Sequence, residues 1–352
     1  MNKDGATIYD VARLAGVSTS TISNVLTGKH DRMSKTTLER VHKAIAELSY
    51  APNMTARELK TGFVPIIGLI VPSVANPFWG SFARSVEHAA MARNCQVMLC
   101  NGERDPARER WYAESMLSRG IKGVIIGSSP LSLTHMAELT KRGMQVVTFD
   151  RGTQGIDDQE FDSVSVDNTI GAQIAIEHLL RLGHRRIAFV SGAISSSNRI
   201  DRLNSYMATL RSANIDPDPS LIWIENVQSS SSDESGVELG HAAALGLLRR
   251  PSPPTAFFAV NDITAFGIYA GAQELGLRVP RDISVIGFDD LDLCRVVNPP
   301  LTTLRQPLDE LLRAAVELLL GRLDHSIKSS PQHITIAPGF VQRGSCGPVS
   351  QP

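Results

Sequence analysis

Apolar residues near the start of the chain recur at helical spacing. Ile8, Val11, Ala12 and Ala15 stand at i, i+3, i+4 and i+7, which gathers them on one helix face. Thr7 followed three residues later by Asp10 has the spacing of a capping box, a start signal for that helix. Gly16 and Val17 interrupt the pattern, Ser18 is a candidate cap for a second helix, and Ile22, Val25 and Leu26 turn toward the first. Thr19, Ser20, Ser23 and Asn24 then face outward. Short hydrogen-bonding side chains near a helix N-terminus suit phosphate contact and base-edge reading in a major groove. A third helix capped near Ser34 and carrying Leu38, Val41, Ile45 and Leu48 can close a three-helix core.

Between this head and the first strand lies a stretch in which Pro52 ends what precedes it, Asn53 can cap and Gly62 can stop a short helix. Helices shorter than about 12–15 residues are marginal in water, so this one needs a partner. From Pro65 the pattern changes to apolar strands alternating with amphipathic segments. Strands are predicted at Ile66–Val71, Gln96–Cys100, Gly123–Ile126, Gln145–Phe149, Ser163–Val166, Arg186–Val190, Ala256–Val260 and Ser284–Phe288. Helices are predicted at Phe78–Arg93, Pro106–Arg119, Ser132–Lys141, Asn168–Leu182, Asn198–Ala213, Ser235–Leu248, Asp262–Leu275 and Pro307–Leu320. Such alternation specifies an α/β fold of parallel sheets flanked by helices, and the number of units suits two subdomains.

A chain of 352 residues exceeds one compact core. Its composition, 42% hydrophobic and 20% charged, is that of an ordinary globular protein. No apolar run approaches the roughly 20 residues of a membrane span, and the N-terminus lacks the layout of a secretory signal, so a cytoplasmic location is expected. The 4 cysteines show no metal-ligand or disulfide spacing, and no metal or cofactor is expected. The net charge of −1 does not by itself suggest nucleic-acid binding. Residues 1–62 nevertheless hold nine Lys and Arg against six Asp and Glu, the right sign for a DNA-binding head.

In parallel α/β folds ligands bind beyond the carboxyl ends of the strands. Those ends carry Asn76-Pro77-Phe78-Trp79, Asp150-Arg151, Ser195-Ser196-Ser197-Asn198 with Arg202 one turn on, Asn261-Asp262 and Asp289-Asp290. Taken singly, an Asp or Asn after a strand is a helix cap and an aromatic ring is core. Together, aromatic faces beside amides, carboxylates and a guanidinium suit a polyhydroxylated ligand, the rings covering C–H patches and the polar groups sharing the hydroxyls.

With head, linker and two-lobed body in place, the chain resembles the lactose/galactose repressor family of bacterial transcription regulators over nearly its full length. The likeness rests on Thr7-Ile8-Tyr9-Asp10-Val11-Ala12, Ala15-Gly16-Val17-Ser18, Thr21-Ile22-Ser23, Pro52-Asn53 with Ala56-Arg57-Glu58-Leu59, Asn76-Pro77-Phe78, Gly183-His184-Arg185-Arg186-Ile187-Ala188, Asn261-Asp262, Val285-Ile286-Gly287-Phe288-Asp289 and Pro300-Leu301-Thr302-Thr303. The body is also similar to periplasmic sugar-binding proteins. The resemblance implies a helix-turn-helix domain at 1–50, a hinge at 51–63, an effector-binding and dimerisation domain at 64–345 and a tail at 346–352. One lobe is expected to comprise 64–164 with 294–326, the other 165–293 with 327–345. It further implies that Thr19, Ser20 and Asn24 face bases, that Thr7, Ser18, Thr21 and Ser23 hold the DNA backbone, and that Asn53, Ala56 and Lys60 flank Leu59, a minor-groove wedge. Around the effector it places Phe78, Trp79, Asp150, Ser196, Asn198, Arg202, Asn261 and Asp289, with Arg202 and Asp289 fixing the ligand's orientation. Purine-binding members carry a basic residue where Ser196 stands, which here favours a sugar or sugar acid. The C-terminus lacks the leucine heptads of tetrameric members, and a homodimer on a pseudo-palindromic operator is implied.

A sugar-binding protein without a DNA role is the alternative reading; the head and the missing export signal oppose it. The sequence contains no G-x-G-x-x-G after the first strand, phosphate loop, G-x-S-x-G elbow or H-E-x-x-H, and catalysis is not expected. An apolar wedge levers open a base step that only the correct site presents at the right place. Leu59→Ala is therefore expected to weaken operator binding by tenfold or more, about 1.4 kcal/mol, and non-specific binding much less. Equal losses on the two DNAs, measured by fluorescence anisotropy, would remove the wedge assignment.

Overall fold

The computed structural model describes residues 6–26, 33–50, 65–129, 131–151, 161–225 and 236–349, and the expected hinge with Asn53, Ala56, Leu59 and Lys60 lies outside them. The chain divides into two compact units, Met1–Val64 and Pro65–Pro352.

In the first unit, α1 (Ile8–Ala15), α2 (Thr19–Leu26) and α3 (Lys35–Glu47) enclose one small core. Thr7 and Asp10 form the anticipated capping box, the Thr7 N–H donating to Asp10 Oδ2 at 3.0 Å. Gly16 ends α1 in the left-handed region at φ 63°, where a Cβ would be strained. Val11, Ala12, Ala15, Ile22, Val25, Val41 and Ala44 are buried together, with Leu26, Leu38, Ile45 and Leu48 packed around them. The helical periodicity therefore named the core face of each helix.

The second unit holds two parallel sheets. The first joins β1 (Ile66–Val71), β2 (Gln96–Asn101), β3 (Gly123–Ile126), β4 (Gln145–Phe149), β5 (Asp162–Val166) and β11 (His333–Ile336) in the order β11-β5-β4-β3-β1-β2. Helices α4 (Pro77–Met91) and α11 (Leu308–Leu323) pack on each other and on this sheet, and α5 (Pro106–Ser118) packs on β1. The second sheet joins β6 (Ile187–Ser191), β7 (Ile222–Ile224), β8 (Ala256–Ala259) and β9 (Ser284–Ile286) in the order β7-β6-β8-β9. Beyond β9, the bridges Ile286–Thr302 and Asp289–Arg305 bring in β10 (Thr303–Arg305), which pairs antiparallel with β12 (Gly339–Val341). Helix α7 (Asn168–Arg181) packs on α8 (Ser197–Ser212), and α9 (Gly236–Leu248) on α10 (Asp262–Glu274).

The eight predicted strands and eight predicted body helices fall on observed elements with ends shifted by up to three residues, except that Ser132–Lys141 is a 3-10 turn at Thr134–Met136 followed by α6 (Ala137–Lys141). The expected lobe boundaries need correction. His333–Ile336 pairs with β5 in the first sheet, so 327–336 goes with the first lobe; residues 294–305 run beside β9 and go with the second. Strand pairing sets the crossing points, and β10, β11 and β12 are three or four residues long, too short for a periodic signal.

Glycine permits the closest approach in the body. A Cβ on Gly240 of α9 would lie 2.0 Å from the Thr264 carbonyl oxygen of α10, and one on Gly267 would lie 2.0 Å from the Val237 carbonyl oxygen. Backbone cannot yield as a side chain tip does. Gly240→Ala is expected to destabilise the body by about 3 kcal/mol, read as a lower urea midpoint, because overpacking costs roughly 1–3 kcal/mol even where side chains can move. A midpoint within experimental error of the parent would contradict this packing.

Candidate functional site: a polar helix face and an interlobe cleft

On the head, Ser18, Thr19, Ser20 and Thr21 stand at the start of α2, Ser23 and Asn24 in its second half, and Thr7 caps α1. Ser18 caps the helix, its Oγ accepting from the Thr21 N–H at 3.2 Å, and lies 2.7 Å from Ser20 Oγ and 2.9 Å from Thr21 Oγ1. Ser20 and Asn24 are exposed, while Thr19, Thr21 and Ser23 are half-buried. The face opposite the core is thus a band of hydroxyls and one amide.

In the body a cleft of about 420 Å³ opens between the lobes. Its walls come almost wholly from segments that follow strands. Asn76, Phe78 and Trp79 follow β1, Arg104 follows β2, and Phe149 and Asp150 stand at the end of β4. Asn198, Arg199 and Arg202 follow β6, Val260 and Asn261 follow β8, Asp289 follows β9, and Gln306 follows β10. Seven strand ends converge.

The aromatic wall is built by the N-terminus of α4. Asn76 Oδ1 accepts from the Phe78 N–H at 3.0 Å, and Pro77 needs no donor at the first helical position. The following Phe78 and Trp79 meet edge to face at 4.9 Å between ring centroids and rest on Phe82 and Phe149. Gly127 makes room beneath, since a Cβ there would sit 2.7 Å from the Trp79 ring.

Arg202 occupies the polar floor and is 4% exposed. Its Nε donates to Asn168 Oδ1 at 2.8 Å, an Nη donates to the Val260 carbonyl, and the guanidinium lies 3.5 Å over the Phe288 ring. Asp150 Oδ2 is 4.0 Å from Arg202, and Asp150 Oδ1 accepts from Asn168 Nδ2 at 2.6 Å. Asp289 Oδ1 accepts from Gln306 Nε2 at 2.6 Å. Burial pushes the Asp150 carboxyl up against the opposing pull of Arg202, and raises Asp289 well above the usual range with Asp262 adding repulsion. The backbone is unusual at the same places. Glu103, Arg104, Ser129, Asp150, Asp289 and Asp290 all have positive φ, between 50° and 129°. Left-handed backbone at non-glycine residues gathers where geometry serves a site.

Of the residues expected around an effector, Phe78, Trp79, Asp150, Asn198, Arg202, Asn261 and Asp289 reach the cleft wall. Ser196 does not: it is 1% exposed, and its hydroxyl donates to Asn198 Oδ1 at 2.5 Å, holding that side chain from behind. Two other strand-end carboxylates turn away. Asp262 is fully buried and accepts from the Leu291 N–H at 2.9 Å and Thr303 Oγ1 at 2.6 Å, and Asp290 binds Arg305 and Arg343. Sequence reasoning missed Arg104, Phe149, Arg199, Val260 and Gln306 as lining residues. The strand-end rule could have found Arg104, and Arg199 adjoins Asn198, but Gln306 follows a strand that no pattern announced.

Asp201, on α8 beside Arg202, is pushed up to about 6 by burial, with repulsion from Asp150 second. A raised folded-state value means the folded form holds the proton more tightly, so stability is lost as pH rises from about 4 through about 6. Asp201→Asn is expected to stabilise the protein by about 1 kcal/mol at pH 7.5 after allowance for solvent screening. The gain should shrink toward pH 4, as thermal melts across that range will show. A gain independent of pH would contradict the assignment.

The same two-part organisation appears in known proteins. A family model described as bacterial regulatory proteins, lacI family, matches residues 7–53, and one described as a periplasmic binding protein-like domain matches residues 176–346. The HTH-type transcriptional repressor PurR of Aliivibrio salmonicida is 33% identical over 319 residues, covering 90% of this chain and 92% of that protein. The ribose operon repressor of Escherichia coli K12 is 33% identical over 344 residues, covering 97% and 99%. Among solved structures, the lac repressor dimer bound to operator and the anti-inducer ONPF aligns with a TM-score of 0.82 at 28% identity, covering 97% of this chain and 99% of that one. A LacI family transcriptional regulator from Enterococcus faecium with bound ribose aligns with a TM-score of 0.68 at 30% identity, covering 81% and 100%.

Proposed function

Because this chain belongs to the lacI family of bacterial regulatory proteins, DNA-binding transcriptional repressors with an effector-binding domain, we propose that a sugar or sugar derivative, bound in the interlobe cleft, sets its affinity for operator DNA. The observation that carries this reading is the cleft: an aromatic wall of Phe78 and Trp79 faces Asp150, Asn198, Arg202, Asn261 and Asp289 across the ends of two parallel sheets. Ring faces take up the C–H surface of a polyol and the polar ring takes up its hydroxyls. A structural neighbour bound to ribose and the similarity to a ribose operon repressor support the same ligand class.

On this reading Thr19, Ser20 and Asn24 read bases, Thr7, Ser18, Thr21 and Ser23 hold the backbone, and residues 51–63 with Asn53, Ala56, Leu59 and Lys60 form a hinge in the minor groove. The protein works in the cytoplasm, where its DNA is. It binds its ligand without transforming it, in keeping with relatives that are transcriptional repressors. It acts as a homodimer on a pseudo-palindromic site. The outer strand β2 supports pairing: it ends its sheet, and Leu99 on it, Met91 at the end of α4 and Trp111 on α5 are 46%, 64% and 62% exposed.

Full-length protein is expected to bind its operator with a steep inverse dependence on salt, because phosphate contacts release counterions. Removing residues 1–62 should abolish that binding while leaving ligand-induced melting shifts in a panel of pentoses, hexoses and their derivatives. Arg202→Ala should abolish those shifts, with circular dichroism confirming the fold. A shift of normal size in a folded variant would place the effector elsewhere.

A further inference from the structure

Two buried, oppositely charged side chains face each other across the lobes without closing. Asp150 follows β4 in the first lobe, Arg202 lies on α8 in the second, and their nearest carboxylate oxygen and guanidinium nitrogen are 4.0 Å apart. A carboxylate and an arginine left to themselves form a fork of two parallel hydrogen bonds. Here the side chain of Asn168 bridges them instead. Its Oδ1 accepts from Arg202 Nε at 2.8 Å, and its Nδ2 donates to Asp150 Oδ1 at 2.6 Å and to the Val166 carbonyl at 3.2 Å. The amide thus takes one edge of each charged group, and the Val260 carbonyl takes a further guanidinium N–H. Asn198 also hydrogen-bonds the Asp150 carboxyl and Arg104 attracts it, so the acid is held by several partners while its gap to Arg202 stays open.

Only an amide in this orientation suits the position. Reversed, it would set N–H against the Arg202 N–H and its oxygen against the Asp150 carboxylate and the Val166 carbonyl. An aspartate would repel Asp150, and an apolar side chain would satisfy neither group. The backbone is fixed as firmly. Asn168 opens α7 directly after the crossing at Asp167, which caps that helix by accepting from the Ile170 N–H at 2.8 Å and donates its own N–H to the Ile336 carbonyl at 2.9 Å. Ser205 Oγ on α8 donates to the Thr169 carbonyl at 2.7 Å, tying the helix of Arg202 to the same turn. Asn168 is itself buried, and Asp150 and Arg202 are the members of the trio that line the cleft.

We infer that Asn168 is a positioning residue of the effector site, holding Asp150 and Arg202 apart so that a sugar hydroxyl, and not the partner ion, closes the pair. This rests on the polyol reading above and deepens it. A hydroxyl both donates and accepts, so one such group can donate to the carboxylate and accept from the guanidinium. A pair already forked together has to be opened first, and that cost lowers the affinity. With Asn168 in place, both groups are oriented and desolvated as the chain folds, which is how a binding site is preorganised.

The test is calorimetric binding of ribose, glucose, galactose, gluconate and ribose 5-phosphate by full-length protein and its Asn168→Leu variant, with melting temperatures measured alongside. The parent is expected to bind at least one of these compounds. Leucine has nearly the shape of asparagine and makes neither hydrogen bond, so the variant should bind that compound about tenfold or more weakly. Its melting temperature should fall little, because the edges released by the amide then satisfy each other. Its crystal structure should show Asp150 and Arg202 in direct hydrogen-bond contact. Should the leucine variant fail to fold, Asn168→Ala carries the same comparison. A folded variant that loses less than about tenfold in affinity, or that keeps the pair apart, overturns the inference and leaves the polyol reading standing. A parent that binds none of the compounds overturns both.

Discussion

The body is organised around one buried charge. The Arg202 guanidinium, on a helix of the second lobe, touches Asn168 just after β5, the Val260 carbonyl after β8 and the Phe288 ring after β9, and faces Asp150 after β4. A cation that is 4% exposed is tolerable only because each of these groups is in place. Burial favours loss of its proton, and the carboxylates Asp150, Asp289, Asp262 and Asp201 oppose that loss. Removing one partner from a buried ion pair typically costs 3–5 kcal/mol, so the interaction fixes the relative positions of strand ends from both lobes. Fold stability and cleft shape therefore share one set of contacts.

Strand-end geometry follows from the same demand. A parallel strand that stops at a ligand cleft must turn sharply, and at β4 and β9 the turn is made by aspartates in the left-handed region, Asp150 at φ 56° and Asp289 at φ 129°. The chain crosses between lobes near Asp167, Gln306 and Pro338, and Gln306 at its crossing donates to Asp289. Near the cleft the lobes also meet through the Ser197 N–H on the Ser129 carbonyl at 3.3 Å and Ser197 Oγ on the Asp150 carbonyl at 3.1 Å. These neutral hydrogen bonds contribute about 1 kcal/mol net each and stand beside the charged Asp150–Arg202 contact, so a ligand shifts the lobe arrangement only by as much as its affinities for the two arrangements differ.

Periodicity identified what depends on it. The head core from Val11 to Ala44 and the eight main strands of the body were legible because each buries a regular face or a continuous apolar run. The strand-end rule brought seven expected ligand-facing residues into one cleft. Short strands were not legible: β10, β11 and β12 owe their existence to pairing partners far along the chain, and with them went the lobe boundaries and Gln306. Ser196 shows a different limit. Its sequence position lies two residues from Asn198, and only the local backbone turns its hydroxyl inward instead of into the cleft.

The head illustrates why such a protein can be controlled at all. Among the described residues its core holds seven buried side chains, of which Ile22 is the largest and four are valine or isoleucine. Domains below about 40–60 residues have little apolar area to bury and are marginal alone. Partner binding adds stability to the folded form by mass action, so a marginal head gains order from the DNA it contacts. The polar band of Ser18, Ser20 and Asn24 is built from short side chains, which lose little rotamer freedom when they are fixed. In the proposed homodimer, affinity shared between two heads depends steeply on whether both sites can be reached together. On that proposal, a change of lobe arrangement in the body needs to alter only that spacing to weaken the grip on DNA.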